Sequence, residues 1–323
     1  MKKLLMLICG MNVAWGNPFA IDFPEKKDVT NEDYIHIQEM LRQVDIKPYL
    51  NSICHEGYNC GDFERRSTRG LTQILIDPDR GFFPQIGLEK IGEGGDRCVV
   101  CCVPFDGVRS QLIFSLIQAF RDTGFNGYFY YRIGGFPNPT GEELRYVGVP
   151  YCFKIFLMLE AEQLGFSKVL WVDSSVVPLR DIAPLFEWLE ETGAFINGWP
   201  PYWSLGYFVL PEIRNWLWHL TGTDVVNTTY INTTIFGLDM KHEMSKQVIR
   251  EYYDYVKLGY PFVSCFPEEF VLTAIMRNFE GTPWQLHPYD LLINYIIPEN
   301  AEERKVQMEG MRREGYYFYN RKH

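Results

Sequence analysis

Residues 168–185 (KVLWVDSSVVPLRDIAPL) constrain the fold more than any other part of this chain. The apolar residues 169–172 lead directly to one carboxylate, Asp173. A short apolar run of this kind predicts a strand that is buried on both faces of a sheet. A charged residue that ends such a strand is expected at the carboxyl edge of the sheet. Open α/β sheets bind their ligands at that edge.

A strand, a helix and a second strand are predicted before this stretch. Residues 97–105 (RCVVCCVPF) form a continuous apolar run, residues 110–120 have apolar side chains at helical spacing, and residues 127–133 (GYFYYRI) form another apolar run. This order is typical of a βαβ unit, whose two strands are parallel and whose crossover is right-handed. The loop at residues 104–109 is therefore expected beside Asp173.

The pattern predicts further elements on either side of that strand. They are a helix at 31–44 capped by Asn31, a buried helix at 151–164, a helix capped by Asp181 that ends at Gly193, a strand at 194–196, a strand at 230–238, a helix capped by Ser245 and a helix opened by Pro267. Residues 281–298 read as loop and then strand. The last 25 or so residues are charged and aromatic, and their pattern predicts no fold.

The first 16 residues resemble a secretory signal peptide. Lys2 and Lys3 precede an apolar run at residues 4–14, and Ala14 and Gly16 are small residues suited to a cleavage site. The run is too short to span a bilayer. We therefore expect export through the secretory pathway, and a cytoplasmic protein if the segment is not a signal. Residues 17–95 are expected to form an irregular N-terminal extension, and residues 96–323 the main domain.

Charge and cysteine content limit the function classes. The formal net charge is −10, which argues against nucleic-acid binding because that needs a basic face. Of the eight Cys, Cys54 and Cys60 bracket a short loop and would be able to form a disulfide in an exported protein. Cys98, Cys101 and Cys102 lie in an apolar run and are expected to be buried thiols. The sequence also contains glycosylation sequons at Asn227 and Asn232.

Residues 97–290 resemble the GT-A class of glycosyltransferases. The resemblance rests on the strand KVLWVD, the helix DIAPLF after it, the later motif NTTIFG and a helix opened by PEE. It implies a GT-A-like (Rossmann-like) α/β fold with a mixed, mostly parallel central sheet flanked by helices. It also implies transfer of a sugar from a nucleotide-diphosphate sugar to an acceptor. The sequence does not identify that acceptor as a glycan, a protein or a lipid.

The motif that holds a divalent cation in this class is changed here. The class has Asp-x-Asp, whose carboxylates hold a Mn²⁺ or Mg²⁺ ion that neutralises the leaving diphosphate. This chain has Asp173-Ser174-Ser175. Three interpretations stay open: a metal bound by Asp173, Ser175 and His287; a metal-independent enzyme in which Arg or Lys offsets the charge; and a catalytically degenerate protein.

The resemblance implies roles for residues outside this motif. Phe105, Asp106 and Arg109 would contact the base and ribose, Arg132 uracil or phosphate, Lys154 the diphosphate, Asn197, Trp199 and Asn232 the donor sugar or the acceptor, and Glu268 or Glu269 would be the general base. One alternative is an exported carbohydrate- or nucleotide-sugar-binding protein or effector without turnover. A haloacid-dehalogenase-type phosphatase also has a strand that ends in Asp, but it requires the second Asp and a position near the start of its fold.

Overall fold

The computed structural model describes residues 17–44, 75–105, 108–198, 215, 218, 231–262, 266–279, 286–288, 293–296 and 300–321, with only the backbone at 197–198, 286–288, 293–296 and 321. Seven helices in this part of the chain are α1 (Asn31–Leu41), α2 (Arg109–Asp122), α3 (Phe153–Gln163), α4 (Ala183–Thr192), α5 (Glu243–Leu258), α6 (Pro267–Met276) and α7 (Ala301–Glu314). The strands are β1 (Gln85–Ile91), β2 (Arg97–Val103), β3 (Gly127–Ile133), β4 (Lys168–Val172), β5 (Val176–Pro178), β6 (Ala194–Gly198), β7 (Ile231–Asp239), β8 (Leu286–Pro288), β9 (Ile293–Ile296) and β10 (Phe318–Arg321).

Seven of these strands form the central sheet, in the order β1-β3-β2-β4-β7-β6-β8. The β3–β2, β2–β4 and β6–β8 pairs are parallel. Strands β1 and β7 run against their neighbours. Five of the seven strands therefore point the same way. This confirms the mixed, mostly parallel central sheet flanked by helices that was predicted from the sequence.

Helices cover both faces of the sheet, because the central strands are apolar on both sides. Along β2, the side chains of Cys98 and Val100 join a core with α1, α3, α5 and α6, whereas Val99 and Cys101 join one with α2 and α4. Successive residues of a strand point to opposite faces, so an unbroken apolar run fits only this sandwiched position. The prediction that β4 is buried on both faces is confirmed in the same way.

Two predicted helix caps are wrong by a few residues. Helix α1 is capped by Thr30, not Asn31, since the Thr30 hydroxyl accepts the amide of Asp33 and the Asp33 carboxylate accepts the amide of Thr30. Helix α5 begins at Glu243, where His242 accepts the amide of Met244. Ser245, the predicted cap, is buried and donates to a backbone carbonyl instead. In both cases an earlier polar side chain reaches the free amides first.

The segment before residue 96 contributes directly to the main unit. Strand β1 pairs along its whole length with β3 at the edge of the central sheet. Phe19, Tyr34 and Ile37 are buried in the core that also contains α3 and α5. A domain boundary at residue 95 would therefore separate β1 from the strand with which it pairs.

A second, three-stranded sheet has the order β5-β10-β9. Strand β10 lies near the end of the chain and pairs antiparallel with β5, which follows the Asp173 turn. Helix α7 precedes β10 and packs Met311 against Val177 and Leu179. The sequence pattern predicted no fold for these last residues, since α7 is mostly exposed and strongly polar.

Several predictions concern residues that the structure does not describe. These are the signal peptide at 1–16, the Cys54–Cys60 disulfide and the Asn227 sequon. Cys98, Cys101 and Cys102 are buried free thiols, as predicted. Within the described ranges, no helix has both the length and the apolar character needed to cross a membrane.

Candidate functional site

Most of the predicted site residues meet at the carboxyl edge of the central sheet. Phe105 follows β2, Asp173 follows β4 and Asn197 lies near the end of β6. Because β7 is antiparallel to β4, its first residues lie at the same edge. The Asp173 amide accordingly donates to the carbonyl of Thr234, with N and O 2.9 Å apart. Topology thus joins residues from distant parts of the sequence.

A buried lysine forms the centre of this edge. The ammonium nitrogen of Lys154, on α3, lies 2.9 Å from a Glu268 carboxylate oxygen and 3.2 Å from an Asp173 carboxylate oxygen. It also donates to the carbonyl and the hydroxyl of Thr233 on β7. Only 5% of the Lys154 side chain is exposed. A lysine this deep in the protein requires anionic partners, and here two carboxylates supply them.

The side chain of Trp171 holds Asp173 in place. The indole N–H of Trp171 donates to Oδ1 of Asp173 over 2.6 Å, and the Lys154 ammonium lies over the Trp171 ring. Residues two apart in a strand share one face, so Trp171 and Asp173 both point toward α3. Oδ1 of Asp173 therefore has two donors, whereas 34% of the Asp173 side chain stays exposed.

The first turn of α6 attaches to β7 through both of its acids. Glu268 accepts the Thr233 hydroxyl over 2.8 Å, and Glu269 accepts the Thr233 amide over 3.3 Å. Thr273, one turn later, accepts the amide of Ile231. Both acids are more than nine-tenths buried. Their predicted role as general base stays a prediction, and in this structure both carboxylates already accept hydrogen bonds.

Burial and neighbouring charges shift the ionisation of this cluster. Burial lowers the pKa of Lys154, but the Asp173 and Glu268 carboxylates outweigh it and raise that pKa above its usual range. Burial raises the pKa of Asp173, and the opposing effects of Lys154 and Trp171 do not cancel the rise. A carboxyl group with a raised pKa and a partly exposed side chain is typical of functional sites.

The described residues do not complete a divalent-cation site. Oδ1 of Asp173 is occupied by Trp171 and Lys154. Ser175, in the turn after Asp173, brings no charge, and the Lys154 ammonium already pairs with the Asp173 and Glu268 carboxylates. Only the backbone of His287 is described. Among the described residues, no group of three His, Cys, Asp or Glu side chains is placed to hold a metal ion.

Two predicted substrate residues and His287 are neighbours in the sheet. Asn197 pairs with Asn232 on β7 and with His287 on β8. The Asn232 side chain is fully buried, and its oxygen accepts the Thr234 amide. Its Nδ2 group has no hydrogen-bond acceptor among the described residues. This burial also means that the folded chain is unable to carry a glycan at Asn232, whatever the sequon.

Arg132 and Glu160 form a buried ion pair near the same edge. Two guanidinium nitrogens of Arg132 each lie 2.7 Å from a different oxygen of Glu160. Tyr130 and the amide of Asn138 donate to the same carboxylate. The pKa of Arg132 is raised because the attraction of Glu160 exceeds the effect of burial. Arg132 is thus not a surface charge, and its predicted contact with uracil or phosphate stays a prediction.

The remaining predicted residues are less defined. Phe105 is buried beside the edge. Arg109 is the first residue of α2 and is exposed. Asp106 and Trp199 lie outside the described residues. Sequence reasoning missed Trp171 and Thr233, although the two-residue spacing from Trp171 to Asp173 was a usable signal, because such residues share a face of a strand.

Comparisons with known proteins identify a fold likeness only. No family model matches the chain, and no curated protein matches it. One matching solved structure is a glycosyltransferase involved in the glycosylation of the major capsid of PBCV-1, with 13% identity over 70% of this chain and 92% of that chain and a TM-score of 0.41. Another is mouse xyloside xylosyltransferase 1 in its apo form, with 11% identity over 80% of this chain and 92% of that chain and a TM-score of 0.40. Likenesses this distant do not extend to a donor, an acceptor or an activity.

Proposed function

We propose that this protein is a glycosyltransferase that transfers a sugar from a nucleotide-diphosphate sugar to an acceptor. One observation carries the proposal: Asp173, at the end of β4, is joined to the buried ammonium group of Lys154 at the carboxyl edge of a mostly parallel sheet. Open α/β sheets bind their ligands at this edge. The partly exposed carboxylate of Asp173 suits the hydroxyl groups of a sugar. The ammonium group of Lys154, buried behind it, suits a diphosphate.

The proposed reaction exchanges one bond to the anomeric carbon for another. The bond from that carbon to the diphosphate oxygen breaks, and its electron pair leaves with the diphosphate. The acceptor oxygen forms the new bond, and its proton goes to a base, for which Glu268 and Glu269 are the proposed candidates. Positive charge near the leaving oxygen lowers the barrier, because the charge that develops there is negative. In the proposed reaction Lys154 supplies that charge, and its two carboxylate partners reduce the net effect.

Asn232 provides a second argument for sugar binding. Its side-chain nitrogen is buried and lacks an acceptor among the described residues, and an unsatisfied buried donor costs about 1–3 kcal/mol. A sugar hydroxyl would satisfy this group if the bound sugar displaced the residues that cover it in the unliganded chain. Asn197 on β6 pairs with Asn232 on β7. We therefore propose that the donor sugar or the acceptor binds beside these two asparagines.

The decisive experiment replaces Asp173 with asparagine. The amide oxygen of the new side chain would still accept the Trp171 indole N–H, and Lys154 would retain Glu268 and Thr233, so the fold should persist. We expect Asp173→Asn to reduce hydrolysis of UDP- or GDP-sugars at least about tenfold, because a hydrogen bond from a sugar hydroxyl to a charged carboxylate is worth about 1.5–3 kcal/mol and the amide replaces that charge. Donor hydrolysis would be measured with and without Mn²⁺, alongside nucleotide binding by calorimetry.

A matched control is Asp254→Asn. Asp254 lies on α5, its side chain is 75% exposed, and it forms a surface ion pair with Lys257. That variant should hydrolyse the donor at the wild-type rate. Equal rates for wild type and Asp173→Asn would exclude Asp173 from the reaction, and a wild-type chain that binds no UDP- or GDP-sugar under either condition would refute the proposed function.

The second candidate is a nucleotide-sugar-binding protein without turnover. Ser175 in place of an acid and the occupation of Oδ1 of Asp173 by two donors favour it. In the same experiment, wild-type binding with no release of sugar, with or without Mn²⁺ and with a panel of glycan acceptors, would select this candidate over the transferase.

A further inference from the structure

The ring of Phe105, which follows β2, is covered by its neighbours. On one face lies the ring of Phe82, stacked at a centroid distance of 5.8 Å and an interplanar angle of 18°. The backbone of Gly134 also lies so close to the Phe105 ring that a side-chain Cβ at this position would overlap it. Only 7% of Phe105 is exposed. Phe105 therefore has no free face on which a planar ligand can stack.

Phe82 offers the free aromatic face that Phe105 lacks. It is 44% exposed. Two backbone hydrogen bonds between Asp77 and Phe82 close a short loop, and Gly81 turns it with a φ of 70°. The closed loop fixes the backbone of Phe82, and stacking on Phe105 favours one orientation of its ring before a ligand binds. A preorganised ring loses little conformational entropy when it binds.

The loop that carries Phe82 lies at the carboxyl edge of the sheet. Strand β1 begins at Gln85, directly opposite Ile133, the last residue of β3. The Leu75 carbonyl also accepts the amide of Gly135, just past the end of β3. In the order β3-β2-β4, this end of β3 is two strands from Asp173 and the end of β2 is one strand away. With a strand spacing of about 4.8 Å, β2, which Phe105 follows, lies about 5 Å from β4, and β1, which Phe82 precedes, lies about 14 Å from β4. The Phe82 ring, stacked on Phe105, is therefore on the order of 10 Å from the strand of Asp173.

We propose that Phe82 is the residue on which the base of the nucleotide stacks, with Phe105 as its support. This proposal rests on the proposed function and moves the aromatic base contact from the loop after β2 to the segment before β1. The distance between Phe82 and the Asp173 strand matches a ligand whose base and phosphates lie at opposite ends. Stacking needs only a planar ring, so the contact by itself accepts different bases.

The test measures the affinity of the full chain for UDP and GDP by calorimetry. Stacking of a base on an aromatic side chain predicts that Phe82→Ala weakens binding of both nucleotides by about 5- to 150-fold. Phe82→Leu keeps an apolar contact with Phe105 but has no planar ring, and it should lose affinity to a similar extent. Phe82→Tyr keeps the ring and should bind within about threefold of wild type.

The adjacent residue provides the control. Phe83 is 40% exposed, close to the value for Phe82, so Phe83→Ala removes an equally exposed ring and should bind UDP like wild type. If wild type binds UDP and both Phe82→Ala and Phe82→Leu bind it equally well, the Phe82 proposal is wrong while the proposed function stands. If wild type binds neither nucleotide, the proposed function itself fails.

Discussion

The ammonium group of Lys154 contacts groups from three elements: Asp173 after β4, Thr233 on β7 and Glu268 on α6. Removing one partner of a buried ion pair costs more than the pair contributes, because the remaining charges stay buried without compensation. At the scale of single residues, Lys154 is therefore where a substitution should disturb the candidate site most.

We expect Lys154→Met to lower the free energy of unfolding at pH 7 by about 3–5 kcal/mol. Methionine fills a similar space but leaves the Asp173 and Glu268 carboxylates facing each other. Repulsion and burial would then raise the folded-state pKa of Asp173 further, so the folded variant takes up protons more readily than the unfolded chain. Its deficit relative to wild type should therefore be largest at pH 7 and shrink toward pH 5, as urea denaturation at both pH values would show.

Lys246→Met is the control for this prediction. Lys246 lies on α5, and its ion pair with Glu243 is exposed and screened by water, so the change should leave the stability close to that of wild type. A deficit of Lys154→Met that is the same at pH 5 and pH 7 would show that lost packing, and not charge, explains the effect.

Single residues also show what the sequence is able to predict. Asp173 was placed correctly because the apolar run before it and its own charge are neighbours in the chain. The partners of Lys154 were not predictable, since Thr233 lies 79 residues further along the chain. The ion pair of Arg132 was not predictable either. Its buried partner Glu160 becomes adjacent only when α3 packs on the sheet.

At the scale of elements, β10 fixes the position of β5, the strand that follows Asp173, by pairing with it. Phe318 is fully buried and pairs with Pro178 of β5. The Val176 amide donates to the carbonyl of Asp173, so β5 and the turn at Asp173 form one continuous structure. Whatever loosens β10 should therefore also loosen the candidate site.

We expect Phe318→Ala to destabilise the protein by about 3–5 kcal/mol, the usual cost of removing a buried phenylalanine. Because β5 continues into the Asp173 turn, UDP binding should weaken as well at a temperature where the variant is fully folded. Thermal unfolding and calorimetry measure the two effects separately. Val306→Ala, on the exposed side of α7, should change neither. Lower stability with unchanged UDP affinity would show that β10 does not position the turn at Asp173.

Elements near the chain ends were harder to predict than those of the central sheet. Strands β2, β3 and β4 are apolar on both faces, so their composition alone identifies them. Helix α7 has no apolar face of ordinary width, and Met311 is the one buried side chain that it contributes. Strand β10 forms by pairing with β5, which lies more than a hundred residues earlier in the chain, so no local sequence pattern predicts β10.

At the scale of the whole molecule, the question is whether residues 17–95 unfold together with the rest. Ile37, on α1, is fully buried in the core that also contains α3 and α5, and β1 completes the edge of the central sheet. The sequence predicted an extension at residues 17–95 because this segment is mostly polar and irregular. The few apolar residues that join the core form no regular pattern there. Shared core contacts favour a single cooperative transition instead.

Ile37→Ala tests this directly. If the N-terminal segment and the sheet unfold as one unit, the variant should lose about 2–5 kcal/mol, and its whole transition should shift to lower urea concentration without a new phase. Ile35→Ala on the same helix is the control, because Ile35 is exposed and its loss should cost less than about 0.5 kcal/mol. The transition would be followed by circular dichroism, which reports the helices, and by tryptophan fluorescence, which reports Trp171 among other residues. An early circular-dichroism phase in Ile37→Ala, with the fluorescence transition left at its wild-type midpoint, would mean that residues 17–95 form a separate unit after all.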